Sequence, residues 1–127
     1  MTEPKRRRPV FFNLLKIQMP VGALTSIAHR ATGILLALSI PSSIYLLDLS
    51  LQNPQSYAHI INLFDNWAFR ATVVFSVWVL THHLLAGIRH LLSDIDIGSK
   101  LPAARRSAWL VNLGGVAVAL LAVGVLL

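Results

Sequence analysis

His83, Gly87, His90 and Asp94 recur at i, i+4, i+7 and i+11 within the stretch His-His-Leu-Leu-Ala-Gly-Ile-Arg-His-Leu-Leu-Ser-Asp, residues 82–94. On a helix that turns about 100° per residue they fall within roughly 60° of one another, on one face. The stretch closes a long apolar run. Ionisable groups at membrane depth are costly and turn toward a protein interior, a water cavity or a bound group. A histidine with a glycine one turn away leaves room for a flat, bulky ligand against the helix, as an axial haem ligand requires. His82 points about 100° away from His83, so the two imidazoles cannot reach one iron. A second cluster, Ser26-Ile27-Ala28-His29-Arg30-Ala31-Thr32-Gly33, sets Ser26, Arg30 and Gly33 at i, i+4 and i+7, with His29 beside them. A guanidinium and a hydroxyl can hydrogen-bond carbonyl oxygens of a quinone, and haem propionates need cationic partners.

Both clusters need membrane helices to hold them. The chain has 127 residues, of which 55% are apolar and 13% charged, and its mean hydropathy is +0.66. Three segments, 20–49, 62–92 and 107–127, are long enough to cross a hydrocarbon core, which takes about 20 residues. Too few polar residues remain to cover the outer faces of a soluble bundle. The expectation is an all-α membrane protein: a single domain over 1–127, with three transmembrane helices. A short interfacial helix precedes them within 1–19, where Phe11, Phe12, Leu14, Leu15 and Ile17 alternate loosely with polar residues between Pro9 and Pro20. Residues 52–56, Gln-Asn-Pro-Gln-Ser, read as an outer turn.

The formal charge of +6 is a topology signal. Lys5, Arg6, Arg7, Arg8 and Lys16 precede the first span, and Lys100, Arg105 and Arg106 lie between the second and third. Residues 48–66 carry no Lys or Arg. By the positive-inside rule the N-terminus and second connection are cytoplasmic and the C-terminus is periplasmic. Beside a membrane span the basic run 5–8 reads as an inner-face anchor and not as a nucleic-acid site. With no cysteine, the chain holds no disulfide, no iron–sulfur cluster of its own and no covalently attached haem. Neither a cleavable signal nor a transit peptide is legible, which favours a bacterial inner membrane over a mitochondrial one.

The two clusters converge in depth. A helix starting near Pro20 carries Arg30 about 15 Å along its axis, just inside the hydrocarbon on the cytoplasmic side. His83 lies eleven residues before Asp94, about 16 Å in, nearer the middle but on the same half. A quinone headgroup over a haem would suit that arrangement. His90, two turns nearer the inner surface on the same face, fits a propionate or polar-network role, and His59 reads as a solvated surface residue.

At this point the residues carry a resemblance. Arg8-Pro9, then Ser26-Ile27-x-His29-Arg30-x-Thr32-Gly33, then His83-x-x-x-Gly87-x-Arg89-His90-Leu91-x-x-Asp94 resemble the cytochrome b556 subunits of succinate dehydrogenase over nearly the whole chain. The resemblance implies that His83 is the axial ligand of a haem b shared with a second hydrophobic anchor subunit, which supplies the other axial ligand. It implies that Ser26 and Arg30 line a quinone site, ubiquinone being favoured, and that His29 and Arg30 approach the propionates. Gly33, Gly87 and His90 complete the haem surroundings. The implied partners are that second anchor, an iron–sulfur subunit and a flavoprotein, which oxidises succinate and passes electrons on to quinone. This chain carries no succinate chemistry, having neither cysteines nor a dinucleotide fingerprint. A fumarate reductase anchor shares the architecture. A cofactor-free anchor, whose histidines only bond across helices, is a rival reading. A proton-conducting subunit is less well supported, because no inverted repeat is present.

Orientation is open to direct test. A single cysteine replacing Ser56 should react with an impermeant thiol reagent added to intact spheroplasts, and one replacing Ser99 should not. The reverse pattern would invert the topology.

Overall fold

The computed structural model describes residues 17–126. The expected interfacial helix falls almost wholly on residues outside that range. Helix α1 (Val21–Gln52) leads into the short α2 (Pro54–Asn62), a 3₁₀ turn (Leu63–Asp65), α3 (Trp67–Asp94) and α4 (Leu101–Leu126). No strand occurs among the described residues. Helices α1, α3 and α4 are long and apolar enough to cross a membrane. The chain is thus an all-α, multi-pass membrane protein, as its sequence leads one to expect.

Its packing is inverted relative to a water-soluble bundle. The residues most withdrawn from the surface are Thr25 and Thr32 of α1, Val79, His82 and Ala86 of α3, and Ala108, Val111 and Gly115 of α4. Large apolar side chains such as Leu38, Ile44, Leu80, Leu110 and Leu121 point outward. Lipid tails are as apolar as leucine, so helices in a bilayer gain nothing by hiding leucine from it. They associate through small residues that let backbones close in and through polar side chains that need each other. Accordingly α3 packs most extensively on α4, where Gly114 lies against Leu85 and Gly115 against Trp78 and His82. Helix α1 joins α3 through a smaller surface.

The helix ends follow from local chemistry. Asn53 closes α1 in an extended conformation and its side-chain oxygen accepts from the Ser56 N–H at 2.8 Å, with Pro54 in the first turn of α2. The expected outer turn therefore contracts to one residue, and a helix follows it. Asn66 caps α3 in the same way, accepting from the Ala68 N–H at 2.8 Å, so the second span begins at Trp67 and not at 62. At the other end of α3, Asp96 adopts φ 59°, its N–H bonds to the Ser93 carbonyl and the Ile97 N–H to the Leu92 carbonyl. That pair is a Schellman closure, here with aspartate in the left-handed position more often held by glycine. Helix α4 starts at Leu101, six residues before the expected 107. Arg105 and Arg106 interrupt the apolar run but not the backbone pattern.

Two arginines pin the α3–α4 pair at opposite ends. Arg70 Nη1 donates to the Leu126 carbonyl at 3.1 Å, where the negative end of the α4 dipole favours a cation. Arg89 Nε donates to Ser107 Oγ at 3.1 Å and Nη2 to the Ala104 carbonyl at 3.4 Å. Nineteen residues separate them, about 28 Å along a helix, close to the thickness of a hydrocarbon core of about 30 Å.

Candidate functional site

The candidate site forms where α1 crosses α3, and two glycines permit the crossing. A Cβ on Gly33 would lie 3.0 Å from His83 Cε1, and one on Gly87 would lie 3.5 Å from His29 Nε2. Each helix thus seats its imidazole on the other's glycine. The rings of His29 and His83 stack at 4.2 Å between centroids with 16° between planes, and His90 stands 5.1 Å from His29. The space beside Gly87, which the sequence suggests for a flat ligand, holds the His29 ring in this structure.

His83 is oriented through its Nδ1, which lies 3.1 Å from the His29 backbone carbonyl and 3.3 Å from Thr32 Oγ1. A carbonyl oxygen only accepts, so Nδ1 carries the proton and Nε2 keeps its lone pair. The Thr32 hydroxyl in turn donates to the carbonyls of Ala28 or His29, at 2.8 and 2.9 Å. Among the described residues Nε2 of His83 makes no hydrogen bond.

His82 is committed elsewhere. It is buried against Trp78, and its Nε2 lies 3.1 Å from Asn112 Oδ1. Thr25 donates to the Val21 carbonyl at 2.9 Å, which leaves its oxygen to accept from Asn112 Nδ2 at 3.1 Å. The Asn112 carbonyl oxygen therefore faces His82, whose proton sits on Nε2. His82 Nδ1 is buried and without a partner among the described residues. The chain His82–Asn112–Thr25 links α3, α4 and α1 in one run. Intramembrane side-chain hydrogen bonds contribute on average about 0.6 kcal/mol and at most about 1.7. Sequence reasoning passed over Asn112; its signal was to be the one amide in an otherwise apolar final span.

The remaining predicted residues are distributed around this crossing. Ser26 is half-buried and Arg30 exposed, both rotated away from the Thr25 and Thr32 line that packs inward. Gly33 and His29 lie on the side of α1 that meets α3, and His90 joins them from α3. Arg30 thus stands on the exposed face of α1, with half-buried Ser26 one turn away between that face and the α3 contact. Asp94 is exposed at the end of α3, and His59 is exposed on α2. No group of three or more His, Cys, Asp or Glu among the described residues could hold a metal ion. A metal held through one protein ligand here would have to arrive within a larger group.

Comparison with known proteins adds an independent line. The family described as "Succinate dehydrogenase/Fumarate reductase transmembrane subunit" matches residues 4–123. The succinate dehydrogenase cytochrome b556 subunit of Coxiella burnetii is 34% identical over 111 residues, covering 83% of this chain and 85% of that protein. Its namesake from Paracoccus denitrificans is 32% identical over 114 residues, 90% of this chain and 88% of its own. A succinate dehydrogenase hydrophobic membrane anchor subunit from Thermoplasma acidophilum is 25% identical over 84 residues.

The Gly33 contact makes a stability prediction. Gly33→Leu forces a branched side chain into the His83 ring and should destabilise the folded protein by about 1–3 kcal/mol, as overpacking does. Gly124→Leu, with nothing within 4 Å of its Cβ position, should not. Thermal unfolding of the two variants in detergent measures the difference.

Proposed function

Because the chain belongs to the succinate dehydrogenase/fumarate reductase transmembrane subunit family, we propose that it is the haem b-binding anchor subunit of a succinate:quinone oxidoreductase. It would hold the flavoprotein and iron–sulfur subunits to a bacterial inner membrane together with a second hydrophobic anchor, and contribute part of a quinone site. The name cytochrome b556, borne by its relatives, supports haem b as the cofactor.

The observation that carries this reading is the fixed tautomer of His83. A haem-ligating imidazole characteristically donates its other N–H to a carbonyl or carboxylate, which sets the ring direction and raises its basicity. The His29 carbonyl at 3.1 Å from Nδ1 supplies that acceptor, and Nε2 is left to bind iron. His82 offers less access, since Nε2 is spent on Asn112 and its other nitrogen, Nδ1, is buried, whereas His83 is half-buried. The residues therefore fit an axial ligand at His83. Haem b, when bound, supplies a one-electron redox centre within the membrane. Arg30 and His29 offer cationic or donor groups to propionates, with His90 behind them, and Gly33 and Gly87 keep the backbone close.

For the quinone, Ser26 and Arg30 stand one turn apart on α1, Ser26 half-buried and Arg30 exposed. The Ser26 hydroxyl and the Arg30 guanidinium are both donors, suited to the two-electron, two-proton reduction of a quinone whose carbonyl oxygens gain negative charge on the way. The exposure of Arg30 leaves the remaining wall of the pocket to the partner subunits.

Two experiments test this reading. In the assembled complex, His83→Leu should abolish or strongly alter the haem b absorption. His82→Leu should retain it while lowering thermal stability by about 0.6–1.7 kcal/mol, the worth of an intramembrane hydrogen bond. A normal spectrum in the His83 variant would remove that residue from the ligand role. Ser26→Ala should weaken quinone reduction by about 0.5–1.5 kcal/mol and Arg30→Leu by about 1.5–3 kcal/mol, the usual difference between neutral and charge-assisted hydrogen bonds. Both should spare succinate oxidation with an artificial acceptor at the flavin. Wild-type quinone kinetics in both variants would move the pocket elsewhere.

A further inference from the structure

A groove of about 670 Å³ opens at the corner between α3 and α4, away from the histidine crossing. Its walls are apolar, with Leu85, Ile88 and Leu92 on α3 and Leu110 and Val111 on α4. The Schellman closure of α3 brings Ile97 to its mouth, beside Leu92. The rim is basic and hydroxylic: Arg89, Lys100 and Arg106, with Ser93 and Ser107. Among the described residues no acidic side chain lines it, although Asp94 and Asp96 belong to the same turn. Arg89 is held by Ser107 and the Ala104 carbonyl, whereas Lys100 and Arg106 are exposed.

The position of this rim decides the ligand class. Lys100 and Arg106 stand where the α3–α4 connection leaves the apolar run, which is headgroup level for a spanning pair, and the apolar walls run from them along Leu92, Ile88 and Leu85. Leu92 to Leu85 spans seven residues, about 10 Å. An occupant must carry negative charge at one end and hydrocarbon along the rest. An extended peptide segment would bring backbone N–H and C=O groups to walls that are almost wholly apolar. A basic pocket between membrane helices at the interface is a recognised kind of lipid site.

We propose that this groove binds an anionic phospholipid, its phosphate between Lys100 and Arg106 and an acyl chain along Leu92, Ile88 and Leu85. The inference is independent of the haem and quinone readings and of which side of the membrane the turn faces.

The test uses the protein extracted from membranes with the subunits that accompany it, placed in phosphatidylcholine nanodiscs containing a minor share of phosphatidylglycerol. Native mass spectrometry then reads the lipid that is retained. The wild type should keep phosphatidylglycerol in preference to phosphatidylcholine. Lys100→Gln and Arg106→Gln should each reduce that preference roughly fivefold, the worth of one interfacial cation. Arg105→Gln removes the same charge from a residue that does not line the groove, and it should leave the preference for phosphatidylglycerol nearly unchanged. Ile88→Trp should displace the lipid with every cation intact. Equal losses from Arg105→Gln and Arg106→Gln would mean diffuse surface attraction and overturn the site. So would unchanged retention in both Arg106→Gln and Ile88→Trp. A photo-crosslinker at position 88 that captures a protein subunit instead of lipid would also overturn it.

Discussion

In hydrocarbon a polar side chain has no water to fall back on, and this one constraint organises the bundle. The two buried residues of α1 are both threonines, and each meets a histidine network. Thr25 anchors the run through Asn112 to His82, and Thr32 flanks the Nδ1 of His83. Adjacent residues on α3 are thereby directed to different helices, His82 toward α4 and His83 toward α1. The rotation of α3 about its own axis follows from that division. Were α3 turned by one residue, His82 would lose its amide and His83 its carbonyl, and both losses would fall in a medium without substitutes.

Much of the frame was legible beforehand. Length and hydropathy mark three spans, because a helix that must cross hydrocarbon declares itself by its apolar run. The 100° turn per residue already separates His82 from His83. The helix starts were harder: they depend on Asn53, Asn66 and the Asp96 turn, where single side chains or one left-handed residue interrupt the backbone without any change in hydropathy. Asn112 was missed because an uncharged amide hardly disturbs a hydropathy count, although in lipid it needs a partner as surely as a charge does. The reciprocal seating of His29 on Gly87 and His83 on Gly33 was out of reach, since it needs the register between residues fifty or more positions apart in the chain.

The site itself is built half inward and half outward. Its imidazoles are held by contacts within this chain, while Arg30 is exposed and Ser26, one turn from it, is half-buried. On the proposed reading this division is functional. The group that must keep a fixed direction toward iron is set by the chain's own backbone, and the groups that must admit a mobile quinone stand at a boundary that other subunits finish.

The glycine crossing also bears on the order in which the molecule assembles. Helices α3 and α4 are joined by a short turn and share the broadest contact, so they close on each other through neighbouring stretches of chain. Helix α1 must return across more than fifty residues to bring Thr32 and the His29 carbonyl to His83. Without α1, His83 has no carbonyl to define which nitrogen bears its proton, and either tautomer is open to it. Docking of α1 removes that choice. On the proposed reading, contact with the first span is thus what gives the half-buried imidazole of His83 a defined direction toward iron.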